Sequence, residues 1–241
     1  MKIDIQEIAA IAQAEDLAPR WNLYAGIHKA LRACMSDTLV AVGRMDVEDE
    51  LEFAQTCQRV LELMDFCRGH LQHENAGVHP AMEARAPSTS TAIAAEHLQH
   101  ETDIAVIASG TTRLMGMPRS SRGAGSLALY HQISLFLAHN FEHMLIEERE
   151  HNAVLWAHYT DAELQGIEQA LHALIAPHEM MADLRWMLPA LAPAERAAML
   201  RGLRQDAPAP VFQAVMDLAR NHLDPAQWNK LERALALDNA A

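Results

Sequence analysis

The pentapeptide His-Leu-Gln-His-Glu stands at residues 70–74 and returns at 97–101, and His-Met-Leu-Ile-Glu at 143–147 keeps the frame of histidine, three residues, glutamate. On a helix, positions i and i+4 share a face. Each pair can therefore aim an imidazole nitrogen and a carboxylate oxygen at one place. That donor set suits iron, zinc or manganese. A carboxylate can also bridge two ions, so pairs that meet in one core favour a two-metal site over a single ion.

The neighbours of each pair say which face it occupies. Val60, Leu63, Cys67, His70 and Glu74 follow one another at steps of three and four, the spacing of a helix's core face. Ile93, His97, Glu101 and Ile104 or Ala108 do the same on a second helix, and Tyr24, His28, Leu31 and Met35 on a third. On a fourth helix the stripe is Phe136, Asn140 or His139, His143 and Glu147. The candidate metal ligands are thus His28, His70, Glu74, His97, Glu101, His143 and Glu147. A buried carboxylate without a partner is costly or loses its charge. Several of them beside several histidines call for a cation.

A single histidine on an apolar face is more often a packed core residue, and a single His-x3-Glu pair more often a surface hydrogen bond. Three pairs on three helices, with a histidine on a fourth, are not explained that way. His131, His158 and His172 read as surface or packing residues. His73, His79, His100, His139 and His151 stay open between ligand, orienting and solvent roles. His178 and Glu179 lie outside the four helices. Other site chemistries lack their motifs. A ferritin-like centre needs Glu-x-x-His on two helices, and Glu148 to His151 has no counterpart. The sequence has no His-Glu-x-x-His and no Gly-x-Ser-x-Gly. "GMPRSSRGAG" at 116–125 lacks the Gly-Lys-Ser/Thr of a phosphate loop.

These residues need long helices to carry them. Leucine, alanine and methionine dominate, and only 5% of residues are aromatic, which favours an all-α fold. The pattern predicts a short amphipathic segment at 4–15 and four long helices, at about 20–42, 46–75 (extending toward Met82), 91–109 and 127–159. "ARAPSTS" reads as a loop, with Ser90 or Thr91 as the following cap, and "GMPRSSRGAG" as a mobile one. An antiparallel four-helix bundle over residues 1–159 follows. Residues 160–241 read as a C-terminal helical region of four or five shorter helices packing on the bundle. Thr160 with Glu163 and Asp224 with Gln227 form capping boxes, and Pro193 opens a helix.

The formal charge of −13 argues against nucleic acid and anionic membrane surfaces as partners. No apolar run reaches membrane-spanning length and the N-terminus lacks signal-peptide features, so a cytoplasmic protein is expected. Cys34, Cys57 and Cys67 are odd in number and sit in apolar stripes, which predicts buried thiols in a reducing compartment.

Over roughly residues 20–158 the chain resembles the hemerythrin-like, or HHE cation-binding, family. The resemblance rests on "IHKALR" with His28, "GHLQHENAGVHP" with His70, Glu74 and Pro80, "EHLQHETDI", and "EHMLIEEREHNAVLW" with His143, Glu147 and Glu148. It implies a bundle binding two iron ions, with His28, His70, His97 and His143 as nitrogen ligands and Glu74 and Glu147 as bridging carboxylates. Oxygen-carrying members place a second histidine four residues after the first on the third helix. Here that position is Glu101, and His100 is one step off. On the fourth helix they place an aspartate five residues after the histidine; Glu147 comes one residue sooner and Glu148 fits the longer spacing. A set richer in carboxylate stabilises ferric iron. The expected partners are therefore O2, NO or peroxide, met in sensing, iron handling or stress protection rather than in oxygen carriage. An oxidase or peroxidase, and an interaction protein with a vestigial site, are the alternatives. A protein partner docked on the C-terminal helices is also expected.

Overall fold

The computed structural model of the protein describes residues 20–237, so the segment expected at 4–15 lies outside the described residues. Among the described residues every regular element is helical. Four long helices form the bundle: α1 (Ala25–Gly43), α2 (Glu50–His73), α4 (Thr91–Met115) and α5 (Arg119–Ile146). Helix α2 runs through a π-helical turn, Glu74–Val78, into the short α3 (His79–Arg85). Helix α5 runs through a second π-helical turn, Glu147–His151, into α6 (Asn152–His158). In the bundle α1 packs on α2 and α5, and α4 packs on the same two, closing a ring of four.

The interior of that ring is apolar over most of its length. Leu31, Met35, Val60, Leu63, Met64, Ile104 and Ile133 are each at most 1% exposed or fully buried, and together they fill one continuous core. The three cysteines lie in it as free thiols. Burial pushes the Cys34 thiol up to about 12 and raises those of Cys57 and Cys67, so none is a ready thiolate ligand.

Local chemistry sets the helix ends. Asp49 caps α2, which starts at Glu50 rather than near 46: its side chain accepts from the N–H groups of Leu51 and Glu52. Asp46 is engaged in the preceding turn, accepting from the Glu48 N–H. Ser90 occupies the cap position of α4, but its hydroxyl donates to Glu83 Oε1 at 2.7 Å instead. The expected loop at 116–125 is mostly helix. Only Gly116–Pro118 breaks the chain, and α5 begins at Arg119. Two contacts keep this segment helical. Arg122 lies over the Phe53 ring and pairs with Glu50 at 3.0 Å. Gly125 admits Leu114, whose Cδ1 would stand 2.7 Å from a Cβ there.

Five helices follow: α7 (Asp161–His172), α8 (Pro177–Ala190), α9 (Pro193–Asp206), α10 (Ala209–His222) and α11 (Pro225–Leu237). The capping box of Thr160 and Glu163 is formed. Asp224 accepts from the Gln227 N–H at 2.8 Å while the Gln227 side chain returns to the Asp224 N–H. Leu188, Leu200, Val215, Ala219 and Leu231 build a second apolar core among α8–α11. Helix α8 lies against α1, and α7 lies against the first π turn, where Gly77 leaves room for Leu171. No described helix is long and apolar enough to cross a membrane.

Candidate metal centre

The apolar stripe of each bundle helix ends in histidine and glutamate at the same end of the ring. His28 on α1, His70 on α2, His97 on α4 and His143 on α5 are buried, as are Glu74 and Glu147 at the starts of the two π turns. Their ligand atoms form two groups. His28, His70, Glu74 and Glu147 make one, and Glu74, His97, His143 and Glu147 the other. In each, the ligand atoms lie within 4.8 Å of one another.

The two glutamates belong to both groups, and each divides its oxygens between them. Glu74 Oε1 stands 3.2 Å from His70 Nε2 and 3.7 Å from His28 Nε2, while its Oε2 stands 3.5 Å from His97 Nε2. Glu147 Oε1 stands 3.2 Å from His143 Nε2 and 3.6 Å from His97 Nε2, and its Oε2 3.5 Å from His28 Nε2. These approaches do not make hydrogen bonds for the glutamates. Both oxygens of Glu74 and of Glu147, with His28 Nε2 and His70 Nε2, are buried without a partner. Six orphaned polar atoms in one place would be expensive for a core built only for stability. The remaining two nitrogens, His97 Nε2 and His143 Nε2, face each other at 3.1 Å.

The outward nitrogens are tied. His28 Nδ1 lies 3.0 Å from Glu148 Oε1, and Arg32 holds the same oxygen at 2.5 Å. His97 Nδ1 lies 2.9 Å from Asn75 Oδ1, and His143 Nδ1 2.8 Å from Glu96 Oε2. Each oxygen acceptor takes the Nδ1–H, which leaves the Nε2 lone pair directed inward. That is the arrangement that orients an imidazole toward a cation. Two buried carboxylates and four imidazoles, three of them tied through Nδ1, fit a pair of metal ions, each offered two nitrogens and two oxygens.

Electrostatics agree with a site built for positive charge. Burial and the charge of Glu147 push the Glu74 carboxyl up to about 8. Burial would raise Glu147 too, but the His143 and His97 imidazoles, 3.2 and 3.6 Å away, hold it well below the carboxylate range. Two carboxylates this close share protons as a unit. Burial would lower His143, yet the Glu147 carboxylate 3.2 Å away and the hydrogen bond with Glu96 carry it up to about 9. Burial and the neighbouring His28 drive His70 well down. Burial keeps the Tyr24 phenol, beside this cluster, well above its ordinary range.

The structure brings His28, His70, Glu74, His97, His143 and Glu147 together and leaves Glu101 out. Glu101 is exposed. The buried stripe of α4 runs Ile93, His97, His100, Ile104, Ile107, so the step after His97 is three residues and the glutamate turns to solvent. His100 is buried next to His143, ring centroids 4.7 Å apart, and its Nδ1 has no partner. Glu148 buttresses His28 from outside the two groups. Asn75 and Glu96 carry no orienting signal in the sequence, because their role depends on contacts with histidines 22 and 47 positions away in the chain. Beside His143 a solvent-facing hollow of about 320 Å³ is lined by Glu96, Gln99, His100, His139, Glu142 and Ile146.

Comparison of the chain with family models, with curated proteins and with solved structures finds no match.

Proposed function

We propose that the protein is a non-haem di-iron protein of the hemerythrin-like kind, which meets O2, NO or peroxide in sensing or in iron handling. The observation that carries this reading is the division of oxygens by Glu74 and Glu147. Each carboxylate offers one oxygen to the His28/His70 side and the other to the His97/His143 side. That is what bridging two ions requires, and a mononuclear site has no use for it. A mixed imidazole and carboxylate set suits iron. Two iron ions held side by side would supply electrons and an open position to a diatomic molecule.

The chain's own residues do the rest. Glu148, Asn75 and Glu96 fix the histidine tautomers through Nδ1. The apolar core below the site excludes water. The hollow of about 320 Å³ beside His143 opens to solvent next to the site and has room for a diatomic or peroxide. The test is iron content with visible absorption. Protein reconstituted anaerobically with Fe(II) should hold two irons per chain in the bundle pair and gain near-ultraviolet and visible bands on exposure to O2, NO or peroxide. One tight iron per chain, or none, would refute the di-iron reading. Multiple turnovers with peroxide and a reductant would shift the reading to a peroxidase-type enzyme.

A further inference from the structure

Two further histidines lie on the same floor, and neither the two metal groups nor their supports use them. His79 and His151 are 6% and 2% exposed. Each has a buried Nε2 with no partner. One ring nitrogen of each and an oxygen of Glu147 lie within 4.8 Å of one another. The rings are held from behind. His79 stacks on His97 with centroids 4.9 Å apart, and His151 meets His79 edge-on at 5.6 Å. Tyr24, itself 1% exposed, places its hydroxyl 3.1 Å from His151 Nδ1.

The π turns account for the placement. In a regular α-helix a residue five positions after Glu74 is rotated about 140° away from it. Here the His79 N–H bonds to the Glu74 carbonyl, five residues back. One wide turn therefore returns His79 to the face of Glu74. Pro80, which has no N–H and crowds the carbonyl four residues before it, favours that widening. The second π turn ends at His151, which faces the same floor. Wide turns of this kind collect at functional sites.

We propose that His79, His151 and Glu147 form a third position for a transition-metal dication, next to the bundle pair and loaded after it. Two imidazole nitrogens and one carboxylate oxygen are a ligand set for Zn(II), Co(II) or Fe(II), with water completing the shell. With His151 Nδ1–H donating to Tyr24 Oη, the His151 Nε2 lone pair points to the site. Three protein ligands instead of four, one of them shared, and the repulsion of neighbouring cations make this position weaker by ~10-fold or more than the pair. A weak, exchangeable position beside a tight pair is where a metal ion would wait on its way in or out. The proposal depends on the di-metal reading in sharing Glu147.

The experiment is an anaerobic titration of metal-free, full-length protein with Zn(II) by calorimetry, repeated with Co(II) by absorption. Wild type should take up two ions tightly and a third at least about tenfold more weakly. His79→Gln and His151→Gln should each remove only the third step. Tyr24→Phe should weaken that step and leave the first two within about threefold, as expected of an outer orienting contact. Helix content and melting of each metal-free variant verify folding. Two ions in wild type with no third overturn this inference and leave the di-metal reading standing. Loss of a tight step in His79→Gln also overturns it, because His79 would then belong to the pair. No uptake at all overturns both.

Discussion

The bundle and the C-terminal helices bury charge in opposite ways. In the second core the fully buried cation is Arg196, 1% exposed. Its Nε and Nη2 donate to the carbonyls of Leu188, Leu191 and Pro189 at the end of α8. That is a cation placed at a helix C-terminus, where the helix dipole and the free carbonyls welcome it. Only its Nη1 lacks a partner. At the site end of the bundle, six ligand atoms face one another with no partner at all. A satisfied buried charge serves the fold. An unsatisfied cluster, with three of its outer nitrogens tied, is what a site able to hold metal ions needs. The contrast separates a structural polar group from a functional one within a single chain.

The largest test of that contrast removes a shared carboxylate. Glu74→Ala and Glu147→Ala should each lower tightly bound iron from two per chain to less than one, because each glutamate serves both groups. His28→Ala should weaken mainly one ion. Elemental analysis after gel filtration measures both. Retention of two tight irons in Glu74→Ala would break the comparison.

The matching change in the tail is Arg196→Met. It strips the carbonyls at the end of α8 of their donors and should cost about 3 kcal/mol of stability. Iron per folded chain should not change. Denaturant unfolding, read beside iron content, separates the two effects, and iron loss there would mean that the two regions are not independent.

A third test uses pH on metal-free protein. His70, His79, His100 and His151 are held low, chiefly by burial. Unfolding lets them take up protons below about 6.5, so stability is lost as pH falls through that range. Glu74 and His143 behave the other way. Their folded values, about 8 and about 9, exceed the unfolded ones. The stability they supply is full below the unfolded values, 4.5 for Glu74 and 6.5 for His143, and is lost as pH rises toward 8 and 9. Between 4.5 and 6.5 the four histidines held low, with His172 and His222 also pushed down by burial, outnumber the raised carboxyls of Glu74, Glu168 and Asp183. Metal-free protein should therefore be most stable near pH 6.5 and melt lower on either side. Added metal needs the ligands deprotonated, so the gap between loaded and metal-free melting temperatures should widen from pH 6 to pH 9. A gap that narrows instead would contradict the assignment of the ligands.

The smallest expected effects lie outside the cluster. Asn75→Ala and Glu96→Ala should weaken metal binding by about 10–100-fold without abolishing it, since each only orients a ligand. Glu101→Ala and His131→Ala, both on exposed positions, should change neither iron content nor stability by more than about 0.5 kcal/mol. Their neutrality sharpens the boundary of the site.

Much of this was legible in the chain. Periodic apolar stripes, Thr160 with Glu163 and Asp224 with Gln227 announced the helices and several of their ends. The pairs His70/Glu74 and His143/Glu147 stood on those stripes by spacing alone. The misplaced features failed for definite reasons. "GMPRSSRGAG" has the composition of a loop, but Arg122 gains an ion pair and an aromatic face by staying helical. Glu101 has the same local spacing as Glu74, and only the choice of a three-residue step to His100 turned it outward. The first π turn had a local sign in Pro80. Nothing in the sequence around 147–151 explains the second.

The sequence by itself determined the donor types, their spacing along each helix and the face that would be buried, because those follow from 3.6 residues per turn and the aversion of apolar side chains to water. Tertiary structure alone decided which oxygen of Glu74 and Glu147 serves which side, that Asn75, Glu96 and Glu148 hold the histidines from outside, and that His79 and His151 join the floor. Those depend on distances of a few ångströms between helices far apart in the chain, and on two wide turns that break the regular period. Local periodicity carries no information about either.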